Sequence, residues 1–102
     1  MTDIEISKAL ALAIGYLPEH VRVVDWGNGP FVQVLYDGSW CGFDYRQPHT
    51  IFQIAERYNC FPSQEYSFIR IELYWKACKG GYVATADTAA EAIALAVIRG
   101  AK

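Results

Sequence analysis

Residues 66–86 read Tyr66-Ser67-Phe68-Ile69-Arg70-Ile71-Glu72-Leu73-Tyr74-Trp75-Lys76-Ala77-Cys78, then Lys79-Gly80-Gly81, then Tyr82-Val83-Ala84-Thr85-Ala86. In the first run Ile69, Ile71, Leu73, Trp75 and Ala77 alternate with Phe68, Arg70, Glu72, Tyr74 and Lys76. A period of two sends successive side chains to opposite faces of a strand. The run is therefore expected to be one long strand, apolar on one face and half wet on the other. Lys79-Gly80-Gly81 supplies a tight reversal, because glycine adopts positive φ at no steric cost, and residues 82–86 form the returning strand.

Moving toward the amino terminus, the β-branched and aromatic runs 21–26 and 31–36 flank Gly27-Asn28-Gly29-Pro30, which reads as a second hairpin. Asp37-Gly38 stops the second of these strands. Residues 39–47 hold Trp40, Phe43 and Tyr45 without periodicity and read as a loop pinned by aromatics.

Three helices are expected around the strands. Thr2 and Glu5 have capping-box spacing, and Ile6, Leu10, Ala13 and Ile14 repeat at helical intervals, with Ser7 and Lys8 marking the wet side. Pro48 suits a first helical turn and Asn59 a left-handed terminator, with Ile51, Ile54, Ala55 and Tyr58 on one face between them. Thr88 and Glu91 repeat the capping-box spacing before the alanine-rich residues 89–99. In this helix Leu95 and Ile98 lie off the main stripe. The expected fold is α+β in the order αββαββα: a four-stranded, mostly antiparallel sheet of two hairpins packed with three helices, sandwich-like, as one domain over residues 1–102.

Composition narrows the function classes. With 53% apolar and 20% charged residues in 102, the chain can build a core and is not intrinsically disordered. The uncharged apolar run 9–16 is too short to span a bilayer. Asp3 and Glu5 stand where a secretory signal would carry positive charge, so a cytoplasmic location is expected. Cys41, Cys60 and Cys78 are odd in number and widely spaced and read as free thiols. A net charge of −2 gives no general attraction for a phosphate backbone.

Few constellations carry chemistry. Cys41, Asp44 and His49 are the raw material of a nucleophilic triad, which leaves a small cysteine-dependent hydrolase as an alternative. His20, Cys41, His49, Cys60 and Cys78 include zinc-ligand types but lack finger-like spacing, so no metal and no cofactor are expected. Phe68, Arg70, Tyr74 and Lys76 on one strand face could stack bases and meet phosphates, which makes a nucleic-acid-associated module the other alternative. Trp40, Tyr45, Arg46 and His49 concentrate residue types common in binding hot spots within one loop. They are the expected protein-binding surface. Phe68, Tyr74, Leu95 and Ile98 exceed what a small core buries and suggest a homodimer.

The opening MTDIEISKALALAIGY, the central FDYRQPHTIFQIAERY and the closing YVATADTAAEAIALAVIRGAK resemble the phage ABA sandwich domain family, small phage and prophage proteins of unknown biochemical function. The resemblance rests on Met1-Thr2-Asp3, on Pro48, Ile54 and Ala55, and on Ala86-Asp87-Thr88-Ala89-Ala90-Glu91-Ala92-Ile93. It implies helices stacked on a sheet and supplies no catalytic residues. Together with the lack of a catalytic motif, it leads to the expectation of a non-enzymatic phage or prophage accessory protein that binds another protein in the bacterial host.

Overall fold

Thr2 Oγ1 accepts the Glu5 N–H at 3.2 Å while the Glu5 carboxylate accepts the Thr2 N–H at 3.3 Å, and this reciprocal cap starts α1 (Asp3–Ala13). The computed structural model describes residues 1–101. After a 3₁₀ turn at Pro18–His20 come β1 (Val21–Asp25), β2 (Pro30–Tyr36) and β3 (Ser39–Gly42), then α2 (Pro48–Tyr58). A second run of three strands, β4 (Ser63–Ser67), β5 (Glu72–Lys79) and β6 (Tyr82–Ala86), leads to α3 (Ala89–Gly100). Pro48 opens α2, and Asn59 ends it in the left-handed region at φ 50°. Of the reciprocal cap expected on α3, the Thr88 half is formed: its Oγ1 accepts the Glu91 N–H at 3.2 Å.

The strands make two separate three-stranded antiparallel sheets, β1-β2-β3 and β4-β5-β6. This corrects the expected single four-stranded sheet of two hairpins. Two strands were missed, for different reasons. Asp37 and Gly38 are both at positive φ, 50° and 79°, so they do more than stop β2. They form a two-residue reversal of the kind that suits the twist of paired strands, and Leu35 and Tyr36 pair with Trp40 and Ser39. The long alternating run, in turn, is not one strand. The chain reverses through residues 68–71, and Tyr66 pairs with Leu73 and Ser67 with Glu72. No glycine, proline, asparagine or aspartate announces this turn. It is held by Arg70 N–H donating to Ser67 Oγ at 3.2 Å and by the Arg70–Glu72 ion pair at 3.2 Å, and it puts Ile71 at φ 54°.

Ile71 is strained, since a β-branched side chain is among the least suited to the left-handed region. Ile71→Gly should raise stability by about 0.5–1 kcal/mol net, the relief of a strain of about 1–2 kcal/mol less the backbone entropy that glycine loses on folding. Urea denaturation reads this directly. A lowered midpoint would mean that the Ile71 side chain contributes packing to the fold.

The helices lie between the sheets. α1 packs on β1 and β2, α3 packs on β5 and β6, and α1 and α2 both contact α3. Buried residues of both halves join in one apolar cluster, including Ile6, Leu10, Val32, Val34, Ile54, Ala77, Ala84, Ile93 and Val97. Small side chains on β5 and β6, Ala77 and Ala84 facing each other across the ladder, let α3 approach closely. At its far end the approach is closer still, where a Cβ on Gly100 would stand 2.7 Å from Lys79 Cγ. Both halves follow the order of three strands and a helix, although their sequences do not align.

Candidate functional site

The loop carrying the expected binding residues is anchored to α1. Ser7 is 2% exposed, contrary to its assignment to the wet side, and its Oγ accepts the Tyr45 N–H at 3.1 Å. The Tyr45 ring is buried at 3% exposure, with its hydroxyl donating to Asp3 Oδ1 at 2.6 Å. Burial first, and the Asp3 carboxylate second, push its hydroxyl above the ordinary tyrosine range. Arg46 bridges Asp3 at 3.0 Å and Asp44 at 2.9 Å, and its guanidinium holds the Asp44 carboxyl below the usual carboxylate range.

Trp40 and His49 face elsewhere. On the sheet face away from α1 the Arg22 guanidinium lies 4.0 Å over the Trp40 ring, while Arg22 Nε donates to Gln33 Oε1 at 2.9 Å. His49, on α2, lines a groove of about 460 Å³ with Cys41, Tyr16 and Tyr36. This groove runs on into a cleft of about 390 Å³ that adds Arg57 and Tyr58. The four residues expected to act together are thus spread over an α1 latch, an outer sheet face and a helix–sheet groove.

The same dispersal applies to the possible catalytic triad. Cys41 and His49 share the groove, but Asp44 lines a different cleft, beside α1. Cys41 Sγ is directed at the Ser39 carbonyl, 3.7 Å away, and His49 Nε2 lies 3.3 Å from Gln53 Nε2. Among the described residues no group of three or more His, Cys, Asp and Glu side chains is placed to hold a metal ion, and no helix is long and apolar enough to cross a membrane. Cys60 is buried, which raises its thiol pKa, while Cys41 and Cys78 are exposed. On the sheet face proposed for bases, Tyr74 donates to Glu65 at 3.0 Å, Lys76 lies 3.8 Å from Glu65, and Arg70 pairs with Glu72.

The surface that stands out is the β4–β5 hairpin. The last ladder pair tying β5 to β6 is Trp75 with Ala86, so β5 residues 72–74 and their β4 partners continue as a two-stranded arm. At about 3.3 Å per residue this arm projects roughly 10 Å before the turn. Its tip is apolar and uncovered: Ile69 is 95%, Phe68 86% and Ile71 76% exposed, with Tyr66 and Leu73 also exposed behind them. Phe68 meets Tyr66 edge to face at 5.0 Å between ring centres. Sequence reasoning noted the excess of Phe68 but assigned Ile69 and Ile71 to the covered face of a long strand. Their uninterrupted alternation hid the reversal.

Compared with protein-family models, with curated proteins and with solved structures, the chain matches none.

Proposed function

We propose that this is a non-enzymatic binding module that docks a protein through the apolar tip of the β4–β5 arm. The observation that carries the reading is the near-complete exposure of Phe68, Ile69 and Ile71 on an arm that projects beyond the sheet. Contiguous apolar surface of this kind on a small domain marks an interaction site more often than chance. The strained Ile71 adds to it. A β-branched residue at φ 54° that buries little of its side chain costs stability with no return in packing, a pattern expected where function retains a residue. The resemblance of the chain's ends to a phage family of unknown function supplies no catalytic residues and does not conflict with this role. A nucleic-acid role gains no support from the sheet face, where Arg70 and Lys76 each lie beside a carboxylate.

The test is a photo-crosslinker on the arm. The full chain carrying Ile69→p-benzoylphenylalanine, irradiated in the cell, should give a discrete protein adduct, while the same group at exposed Glu19 on the 3₁₀ turn should not. Equal labelling at both positions, or none at residue 69, would remove the arm from consideration.

A further inference from the structure

We infer that the cleft between the end of α1, helix α2 and strand β2 is a binding site for a small planar anion, an aromatic ring carrying a carboxylate or a phosphate. The inference stands apart from the arm, since none of the residues it uses belongs to β4 or β5. Two grooves of about 390 and 460 Å³ run into one another there, sharing Tyr16, Tyr36, Gln53 and Ile54. Small-molecule sites occupy roughly 300–1,000 Å³, so there is room for a ring and one acidic group.

The charge of the cleft is one-sided. The chain has 11 acidic residues against nine Lys and Arg, yet among the described residues neither groove is lined by an aspartate or a glutamate, and Arg57 supplies a fixed positive charge. Of the five arginines, four have polar partners within the protein: Arg22 donates to Gln33, Arg46 to Asp3 and Asp44, and Arg99 to the Val83 carbonyl, while Arg70 pairs with Glu72. Arg57 has no such partner among the described residues, and its guanidinium lies 5.4 Å over the Tyr58 ring. Gln53 stands one helical turn before it on α2, so both side chains reach the same cleft. A flat fork of donors left open beside aromatic faces matches an oxyanion attached to a flat ring.

The end of α1 presents the tyrosines. Gly15, at φ 113°, closes the helix with its N–H donating to the Leu12 carbonyl at 3.2 Å and the Tyr16 N–H to the Ala11 carbonyl at 3.1 Å, a turn that glycine makes at no steric cost. A Cβ added at Gly15 would meet no atom within 4 Å, so the cleft is open there. Tyr16 follows directly and meets the Phe43 ring edge to face at 6.3 Å between centres. Its hydroxyl makes no hydrogen bond among the described residues, and burial, with Tyr36 and Cys41 next, raises its pKa. At neutral pH it is a free donor. Tyr58, whose hydroxyl donates to the Ile14 carbonyl at 3.4 Å, and Tyr36, 66% exposed, complete an aromatic lining on which a flat ring can stack.

Amide NMR of the full chain, titrated with AMP and separately with phenylacetate, tests the site. Saturable shifts on Gly15, Tyr16, Gln53, Arg57 and Tyr58 are expected with at least one of the two, and which one binds identifies the acidic group as phosphate or carboxylate. Its uncharged counterpart, adenosine or benzyl alcohol, and its ringless one, inorganic phosphate or acetate, should each bind at least about tenfold more weakly. The Arg57→Gln chain should lose affinity by a similar factor. Tyr36→Ala, at an exposed position, should weaken binding severalfold with the unfolding temperature retained. Shifts from neither compound at millimolar concentration, shifts confined to residues outside the cleft, equal binding of an uncharged or ringless counterpart, or an Arg57→Gln chain that binds as wild type does would each overturn the inference. The adduct at residue 69 tests the arm separately and is unaffected by any of these outcomes.

Discussion

Ile93→Ala should lower the free energy of unfolding by about 2–5 kcal/mol, the range for deleting most of a fully buried aliphatic side chain. Ile93 is 1% exposed, on a helix that meets sheet strands β5 and β6 on one side and α1 and α2 on the other. Because α3 is held from both sides, neighbouring side chains have little room to move into the space left behind, and the cost belongs toward the upper part of that range. Against a total stability of about 5–15 kcal/mol for a domain, a loss at the top of that range would remove from about a third to nearly all of it, and the unfolding midpoint in urea would fall in proportion. The measurement is an equilibrium urea titration of wild type and variant, with equal slopes required for the comparison. A change below about 1 kcal/mol would mean that α3 is not the centre of the core.

The prominence of α3 was only partly legible in the sequence. Thr88, Glu91 and the run of strong helix formers identify the helix and its start, because capping and propensity are local effects. Its burial on several sides is not local. Ala92, Ala94 and Ala96 are small enough to be tolerated on any face, so their pattern does not say how many partners surround them. All three are buried because α3 packs against α1 and α2 as well as against β5 and β6.

The same distinction explains the strands. Val21, Val32, Ala77 and Ala84 announce themselves by alternation and by glycine-rich turns, and the structure buries them. Residues 39–42 do not, since Ser39, Trp40, Cys41 and Gly42 carry no periodic apolar signal. What defines β3 is the Asp37-Gly38 reversal and pairing with β2, and that signal was present but read only as a stop. Residues 68–71 are the harder case. Their turn rests on one serine hydroxyl, one ion pair and a strained isoleucine, none of which a residue-type pattern distinguishes from a continuing strand. Of the candidate site, Trp40, Tyr45, Arg46 and His49 were legible as residue types, but Tyr45 and Arg46 are placed by contacts with α1, whose partner residues Asp3 and Ser7 lie some forty positions away in sequence, and Trp40 by Arg22 across the sheet.

Tyr45→Ala should cost about 3–5 kcal/mol, as for other buried aromatics cut back to alanine, while its neighbour Arg46→Ala should cost about 1 kcal/mol or less. The difference follows from where the two side chains sit. The Tyr45 ring is in the core with its hydroxyl on Asp3, whereas Arg46 is more than half exposed in both of its ion pairs, where water screens the charges and side-chain entropy offsets the attraction. A pH series separates ring packing from the hydroxyl. The fold raises the Tyr45 pKa, so the native chain keeps a proton that the unfolded chain releases above about pH 10. Its contribution is fully present below that pH and is lost as pH rises from there toward the folded value. Tyr45→Phe keeps the ring and has no proton to lose, so its stability should fall less steeply above about pH 10 than that of the wild type. Thermal unfolding of the three variants at neutral pH, and of wild type and Tyr45→Phe at alkaline pH, checks both parts. A small loss in Tyr45→Ala beside a large one in Arg46→Ala would reverse the assignment and make the exposed ion pairs, not the buried ring, the fastening of residues 39–49 to α1.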